Sequence, residues 1–305
     1  MHIQDIFARH RTTFSFEFFP PATDAAAEQL VHTVAELEPL KPSFVSVTYG
    51  AGGTTRERTH NLVVRIAATT SCDPVPHLTC VCHTAEEIWR ILERYAAHGI
   101  SNLHALAGDP PRGWADQAGR GALAHAADLV RLVKEFNASG LHPDPRGFGI
   151  GVAGFPEGHP ATPNRLREMD YLKAKVDAGA DYIVTQMFFD NRDFYDFRDR
   201  CELAGIHVPI LAGIMPVTSA KGLRRMAELA LGARFPAGLL RAIARCNGED
   251  ESVRRVGEHW ATEQCRDLLD HGVHGIHFYT LNRSTATREI FANLGVRDSL
   301  ALVNG

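Results

Sequence analysis

The chain has 305 residues, of which 45% are apolar and 22% are charged, and its 32 basic and 36 acidic residues give a formal net charge of -4. A single domain of this size buries roughly 75% of the surface that its unfolded chain exposes, so it needs neither disulfides nor a structural metal. This composition excludes collagen-like, disordered and small disulfide-stapled proteins. The mild acidity and the scattered arginines also argue against nucleic acid as a partner, because a phosphate binder needs a basic patch.

Two further classes of protein are disfavoured by local patterns. No apolar run approaches the ~20 residues of a membrane span, and the N-terminal segment MHIQDIFARHRTTFSF has no apolar block of the signal-peptide kind. We therefore expect no membrane association and a cytoplasmic location. Of the six cysteines only Cys80 and Cys82 are close together, and no second pair completes a zinc site, so we expect buried thiols and no metal.

Apolar runs of strand length alternate with segments of helical spacing along the chain, which is typical of parallel βαβ units. No low-complexity linker interrupts the alternation. The pattern predicts one α/β domain over residues 1–305, a (β/α)8 TIM barrel with extra helices between the seventh and eighth strands. The eight strands are predicted near Thr13–Phe19, Phe44–Tyr49, Val75–Val81, Asn102–Leu106, Gly147–Gly154, Tyr182–Phe188, Val208–Ile214 and Gly275–Leu281.

Several helix ends are marked by their residues. Thr54 with Glu57, and Thr84 with Glu87, match the capping box, in which two side chains satisfy each other's backbone N–H groups. Helix ends are also predicted at four glycines that suit the left-handed conformation: Gly99, Gly179, Gly205 and Gly272.

An open, doubly wound sheet is the competing fold, and it would carry a dinucleotide-binding fingerprint after its first strand. The chain has a GxGxxG pattern at Gly149, Gly151 and Gly154, but it lies inside the fifth predicted strand. The segment FPEGHP follows it instead of a helix start, so no helix N-terminus would face a pyrophosphate. The barrel remains the better interpretation.

Chemistry in such barrels takes place at the C-terminal ends of the strands, so polar residues there are candidates for the site. Glu17 ends the first strand within FSFEFFPP, and desolvation by the flanking aromatic and proline residues would favour a protonated carboxyl that can donate a proton near neutral pH. The alternative is a Glu17 that faces outward. His77 is either a hydrogen-bonded core histidine or a residue that contacts a ligand. Polar residues at the ends of other predicted strands are Asp109, Gln186 and Arg283.

Eight motifs in order, FSFEFFPP, SVTYGAGG, HLTCV, ALAGDPP, FPEGHP, KVDAGADYIVTQMFFD, GIMP and HFYTLNR, resemble those of the methylenetetrahydrofolate reductases. The resemblance runs from about Phe14 to Val296. It implies a flavin-dependent barrel that reduces 5,10-methylenetetrahydrofolate to 5-methyltetrahydrofolate. Electrons would pass from NADH or NADPH through FAD by a ping-pong mechanism, because both substrates use one site.

The resemblance also assigns roles to individual residues. Glu17 matches the general acid that protonates N10 of the folate, and Asp109 matches a carboxylate that stabilises the resulting cation. Gln186 matches an amide that contacts both the pterin and the nicotinamide. Arg283 matches a cation that binds the folate tail. The positions that match flavin-binding residues are Thr48, Tyr49, Ala51, His77, Gly108, Asp109, Ala126, Phe155, His159 and Lys175.

Three positions depart from the family pattern. Ala107 replaces an arginine that usually precedes the Gly-Asp pair, Phe155 replaces a frequent tyrosine, and Met226 lies near a usually aromatic position. The first departure leaves open a flavin-free folate oxidoreductase on the same barrel. A non-redox protein, either a folate-binding module or a barrel lyase, is a further alternative. We also expect no C-terminal regulatory domain and a homo-oligomer.

Overall fold

The computed structural model describes residues 1–50, 55–81, 83–108, 123–230 and 232–303. Eight parallel strands form a closed barrel in the order of the sequence, which confirms the predicted fold. Each predicted strand is present, and five of the eight end one to three residues earlier than expected. The strands are β1 Thr13–Phe18, β2 Phe44–Val47, β3 Pro74–Thr79, β4 Asn102–Leu106, β5 Gly149–Gly154, β6 Tyr182–Thr185, β7 Ile210–Ile214 and β8 Gly275–Tyr279.

The helices surround the barrel, and a short 3₁₀ turn, Glu38–Leu40, follows the second of them. The two extra helices predicted between β7 and β8 are present as the ninth and tenth helices. The helices are α1 Ile3–Arg9, α2 Asp24–Leu37, α3 Arg56–Thr69, α4 Ala85–Ala97, α5 Ala126–Ala138, α6 Arg165–Asp177, α7 Asn191–Leu203, α8 Ala220–Leu229, α9 Ala237–Ala244, α10 Asp250–Asp270, α11 Thr285–Asn293 and α12 Ser299–Val303.

Alternate strand residues face the helices and the barrel interior, and this alternation divides the core. The outward residues of β1, Phe14, Phe16 and Phe18, are fully buried in the large cluster between sheet and helices. Phe16, for example, packs against Phe278 of β8 and Phe291 of α11. The inward residues of the same strand are polar, so the first strand separates a hydrophobic layer from a polar interior.

Helix α1 closes the N-terminal end of the barrel. Its Ile3 and Ile6 are buried against interior residues that include Phe44 and Tyr182. The backbone N–H of Ile3 donates to Oδ1 of Asn102 at 2.7 Å, which attaches the helix to β4. The lower end of the barrel is thus packed, and the opposite, C-terminal end carries the open loops.

The GxGxxG pattern lies within β5, and the next helix begins only at Arg165, so it is not a strand-to-helix turn. Two of its glycines are required by packing inside the barrel. A Cβ at Gly149 would come within 2.4 Å of Cγ2 of Ile3, and one at Gly151 within 2.4 Å of Cζ of Tyr182. The close approach of side chains across the barrel axis therefore explains the pattern.

One of the two predicted capping boxes is confirmed. Thr84 Oγ1 accepts from Glu87 N at 3.2 Å, and Glu87 Oε2 accepts from Thr84 N at 2.9 Å. The box at Thr54 and Glu57 is wrong, because α3 begins at Arg56 after the N-cap Thr55, and Thr54 lies outside the described residues. Glu57 instead accepts two hydrogen bonds from Arg94 of α4.

The four predicted terminal glycines, Gly99, Gly179, Gly205 and Gly272, all have positive φ, between 64° and 113°. Within the described ranges, no helix is long and apolar enough to cross a membrane. Cys80 is a buried thiol, as expected, and burial raises its pKa to about 12. Cys82 lies outside the described residues.

Candidate active site

Glu17 faces the barrel interior, and this settles the alternative left open by the sequence. The ladder pairs it with Ser46 of β2 and Tyr279 of β8. Its side chain is 17% exposed, at the upper, C-terminal end of the barrel. The expected apolar environment is wrong, however, because Phe16 and Phe18 face the helices on the other side of the strand.

Two imidazoles contact the Glu17 carboxylate. Oε2 of Glu17 lies 3.4 Å from Nε2 of His77 and 3.4 Å from Nε2 of His277. His277 is further held by Ser15, whose Oγ lies 2.7 Å from its Nδ1. Ser15 lies two residues before Glu17 and therefore on the same face of β1. The four side chains form a polar layer directly beneath the mouth.

His104 extends this layer across the barrel, with its ring centroid 4.8 Å from that of His77. Burial lowers the pKa of both histidines, and His77 and His277 lower that of His104 further. The Glu17 carboxylate opposes the effect at His77. His77 and His104 are therefore neutral at neutral pH, and His77 is buried beside Glu17.

Tyr279 completes the wall next to Glu17. Its hydroxyl donates to the carbonyl oxygen of Thr185 at 2.7 Å, across β7. This bridge requires Gly213, because a Cβ there would come within 2.3 Å of the Thr185 oxygen and 2.8 Å of Cε2 of Tyr279. Burial raises the pKa of Tyr279 well above its usual range, and the nearby Glu17 carboxylate adds to this rise. The phenol is thus a neutral, fixed wall of the site.

The predicted flavin positions at the ends of β2, β3 and β4 meet on one side of the mouth. Thr48 continues the ladder beyond β2, with its N–H donating to Phe18 O at 2.8 Å. Gly108 has a φ of 81°, and a Cβ there would come within 2.8 Å of Thr79 Cβ. Oγ1 of Thr79 is buried with no hydrogen-bond partner among the described residues. Ala107, the departure from the family pattern, is exposed.

The other predicted flavin positions lie at the start of α5, in the loop after β5 and on α6. Ala126 is the first residue of α5, and Phe155 meets His159 edge-on at 4.7 Å between ring centroids. Lys175 donates from Nζ to the carbonyl oxygen of Ala153 at 2.5 Å. Burial lowers the pKa of Lys175 to about 8, although Glu168 opposes this shift. The lysine of α6 is thus held against β5.

Gln186 and Arg283 lie on the opposite side of the mouth. Oε1 of Gln186 accepts from Met187 N at 2.9 Å, so its NH₂ group faces the other way and is available as a donor. Arg283 is exposed and lines a cavity of about 350 Å³ together with Tyr279 and Arg254. Arg254 donates to the carboxylates of Glu251 and Glu258, which compensate its charge.

The loop that carries Arg283 is fixed to β1. Leu281 and Asn282 have φ values of 52° and 59°, which are unusual for residues other than glycine. Asn282 offsets this strain because its side chain both accepts from Phe19 N at 2.9 Å and donates to Phe19 O at 2.8 Å. The loops after β1 and β8 therefore form one rigid rim between Glu17 and Arg283.

Two predicted site residues, Asp109 and Ala51, lie outside the described residues. Met226 is buried in an apolar cluster under α8 to α10 with Met215 and Leu239. Sequence reasoning missed Ser15 and His277. The alternation of side chains along a strand could have found them. It places Ser15 on the same face of β1 as Glu17, and His277 on the same face of β8 as Tyr279. In the described part of the chain, no group of three or more His, Cys, Asp or Glu residues has an arrangement suited to a metal ion.

A closed (β/α)8 barrel with a carboxylate–imidazole layer under its C-terminal mouth has the architecture of a barrel enzyme. The family model described as methylenetetrahydrofolate reductase matches residues 2–295. The chain belongs to the methylenetetrahydrofolate reductase family.

Curated relatives agree with this membership. The 5,10-methylenetetrahydrofolate reductase of Escherichia coli K12 is 39% identical over 286 residues, covering 94% of this chain and 92% of that protein. Methylenetetrahydrofolate reductase (NADH) 1 of Arabidopsis thaliana is 39% identical over 306 residues, and the chain spans 50% of its length.

Solved structures confirm the fold. A Clostridium thermocellum protein that binds two copies of 5-methyl-5,6,7,8-tetrahydrofolic acid matches with a TM-score of 0.64 and 15% identity over 96% of this chain and 97% of that chain. A 2,3-dimethylmalate lyase matches with a TM-score of 0.52 and 11% identity over 97% of this chain and 85% of that chain. At these identities the likeness concerns the fold alone.

Proposed function

We propose that the protein reduces 5,10-methylenetetrahydrofolate to 5-methyltetrahydrofolate, with electrons from NADH or NADPH passing through FAD in a ping-pong mechanism. The observation that carries the proposal is the Glu17 carboxylate, which faces the mouth between the Nε2 atoms of His77 and His277, each 3.4 Å away. Such a site can hold and move a proton next to a bound folate, as the reaction requires.

The residues around the mouth fit a flavin. Gly108 packs directly against Thr79, where a Cβ would come within 2.8 Å, and the buried hydroxyl of Thr79 has no hydrogen-bond partner among the described residues, so a bound group could supply one. Helix α5 begins at Ala126, and its positive dipole end suits the phosphates of a dinucleotide. Bound FAD would supply the hydride relay, accepting hydride from nicotinamide and delivering it to the folate.

Glu17 would donate its proton to N10 of the folate, so that the bond from N10 to the bridging carbon breaks and a cationic iminium remains to accept hydride. The carboxylate left behind lies beside two imidazole nitrogens. His277, held at Nδ1 by Ser15, can orient this carboxylate by donating a hydrogen bond from its Nε2 to Oε2 of Glu17. A proton from solvent would then restore the acid once the product has left.

Substrate orientation would fall to the opposite rim. The NH₂ group of Gln186, directed away from the Met187 backbone, would donate to an acceptor on the pterin or the nicotinamide. Arg283 lines the cavity of about 350 Å³ and is suited to a carboxylate of the folate tail. One rim serving both substrates in turn is what a ping-pong mechanism needs.

The colour of the purified protein and its two half-reactions test the proposal. We expect a yellow protein whose visible flavin absorbance is bleached by NADH or NADPH and restored by 5,10-methylenetetrahydrofolate. A protein that keeps its colour with both nicotinamides, or whose reduced form is not reoxidised by the folate, contradicts the proposal.

One observation favours a second candidate, a flavin-free folate oxidoreductase on the same barrel. Ala107 is exposed at the end of β4 and cannot supply the guanidinium that the family places there. A colourless protein that still oxidises NADH or NADPH in the presence of the folate would establish this candidate. A colourless, inactive protein that binds folate would instead indicate a non-redox binding protein.

A further inference from the structure

A chain of hydrogen bonds lies beside the mouth and joins three elements. The hydroxyl of Tyr49, which follows β2, lies 3.0 Å from Nε2 of His83, in the loop after β3. Nδ1 of the same imidazole lies 2.5 Å from Nη2 of Arg56, the first residue of α3. His83 is buried and its ring also meets that of Tyr49 edge-on, 5.8 Å between centroids.

The chemistry of arginine fixes the direction of this chain. A guanidinium has only donors and keeps its proton in proteins, so Nδ1 of His83 must accept from Arg56. A neutral imidazole with a bare Nδ1 carries its proton on Nε2, and that N–H must donate to the Tyr49 oxygen. Burial and Arg56 both lower the pKa of His83, and Glu87 only partly opposes them, so the ring stays neutral.

Arg56 is itself held by the confirmed capping box of α4. Its Nη2 lies 3.6 Å from Oε1 of Glu87, whose other oxygen accepts from Thr84 N. The guanidinium therefore has a fixed carboxylate on one side and the imidazole on the other. Its orientation depends on helix α4 and not only on its own flexible side chain.

The backbone of Tyr49 is fixed as well. Thr59 Oγ1 donates to Thr48 O at 3.1 Å, and Gly50 N donates to Thr55 Oγ1 at 2.7 Å, so α3 holds the residues on both sides of Tyr49. Burial raises the pKa of Tyr49, and the phenol keeps its proton at neutral pH. Since the Tyr49 oxygen accepts from His83, its own hydrogen must point away from that ring.

We propose that His83 and Arg56 are positioning residues that fix the Tyr49 hydroxyl as a hydrogen-bond donor to a ligand in the barrel mouth. The ligand class is an aromatic heterocycle with carbonyl oxygen or ring nitrogen acceptors, such as the isoalloxazine of FAD. The identity of the ligand rests on the proposed function, whereas the direction of the hydrogen bonds does not. Sequence reasoning singled out Tyr49 alone, because its two partners come from separate elements.

Nitrogen NMR of the apo-protein labelled with ¹⁵N-histidine tests the direction. The His83 signals are assigned by their loss in His83→Gln. We expect a protonated Nε2 and a bare Nδ1 at neutral pH, unchanged in Arg56→Lys, which keeps a donor, and mixed in Arg56→Leu, which removes it. A protonated Nδ1 in the wild type, or a tautomer unaffected by Arg56→Leu, overturns the proposal.

Titration of apo-protein with FAD, followed by quenching of flavin fluorescence, tests the consequence. Loss of one hydrogen bond predicts binding that is about 3- to 10-fold weaker in Tyr49→Phe. His83→Leu should weaken binding by less, His83→Gln should restore most of the affinity, and Tyr49→Phe combined with His83→Leu should be no worse than Tyr49→Phe alone. Additive losses would mean that His83 acts independently of Tyr49 and overturn the proposal.

Thermal unfolding of each apo variant shows whether it is folded, and His83→Gln remains available if His83→Leu is not. A wild-type protein that binds no FAD contradicts the proposed function and the ligand class together. The tautomer of His83 still decides in that case whether Tyr49 is held as a donor.

Discussion

His277 and Glu17 come from opposite ends of the chain and meet inside the barrel, with Nε2 of His277 3.4 Å from Oε2 of Glu17. The side chain of His277 is only 2% exposed, and Ser15 holds its other ring nitrogen at 2.7 Å. A buried imidazole therefore orients the Glu17 carboxylate when a bound substrate covers it from above.

Glu17→Gln should abolish reduction of the folate and leave reduction of the flavin by NADH largely intact. Only the folate half-reaction needs a proton on N10, and loss of a positioned general acid costs on the order of 10²- to 10⁴-fold. Stopped-flow measurement of the two half-reactions separates them. Comparable losses in both would remove Glu17 from the role of acid.

His277→Leu should slow the folate half-reaction and change its pH profile, because the Glu17 carboxylate loses the Nε2 hydrogen-bond partner that orients it. His104→Leu is the matched control, since it removes an imidazole of the same layer whose ring lies against His77. We expect the control to keep the wild-type pH profile. Equal effects of the two substitutions would indicate that the layer only supports the packing of the barrel.

The fold was predictable because local patterns agreed with it. The eight strands follow apolar runs, and glycines such as Gly99 and Gly179 end helices because only they adopt positive φ at no steric cost. Helix α1 was not predicted. A helix of seven residues is too short to be stable alone. Burial of Ile3 and Ile6 against the N-terminal end of the barrel supplies the stabilising free energy that local helix propensity lacks.

The site was predictable only in part. Glu17 could be singled out by its position at a strand end, but its environment could not, because residues adjacent in sequence face opposite sides of a strand. Its actual neighbours, His77 and His277, are 60 or more residues away and meet it only when the barrel closes. The contact between Ser15 and His277 could not be predicted for the same reason, because the two residues are 262 positions apart in the sequence.

Gln186→Ala should impair both half-reactions, because one amide is expected to meet the pterin and the nicotinamide at different times. Its orientation is fixed by the hydrogen bond from Met187 N, so alanine removes a directed donor. Steady-state parameters for the folate and for NADH should both change. If either set keeps its wild-type value, the single-site model is wrong for this protein.

Lys175→Met should stabilise the apo-protein at neutral pH while it weakens binding of FAD. Burial holds the pKa of Lys175 at about 8 in the folded state, below its unfolded value of roughly 10.4, so the unfolded chain binds more protons between these values. The wild type therefore gains stability as pH rises through this window, and the advantage of the methionine variant should shrink. Thermal unfolding at several pH values measures this, and a pH-independent difference would contradict it.

The last prediction concerns Ala107, which is exposed beside Gly108 at the end of β4. The arginine that the family usually places here would donate charge-assisted hydrogen bonds, each worth roughly 1.5 to 3 kcal/mol, so Ala107→Arg should tighten FAD binding by about 10- to 100-fold. Ala107→Gln is the matched control, because it adds length and a neutral donor without the charge. Titration of the three apo-proteins with FAD measures the difference. Equal affinity in all three would mean that other contacts hold the flavin, and that alanine at this position has no cost for binding.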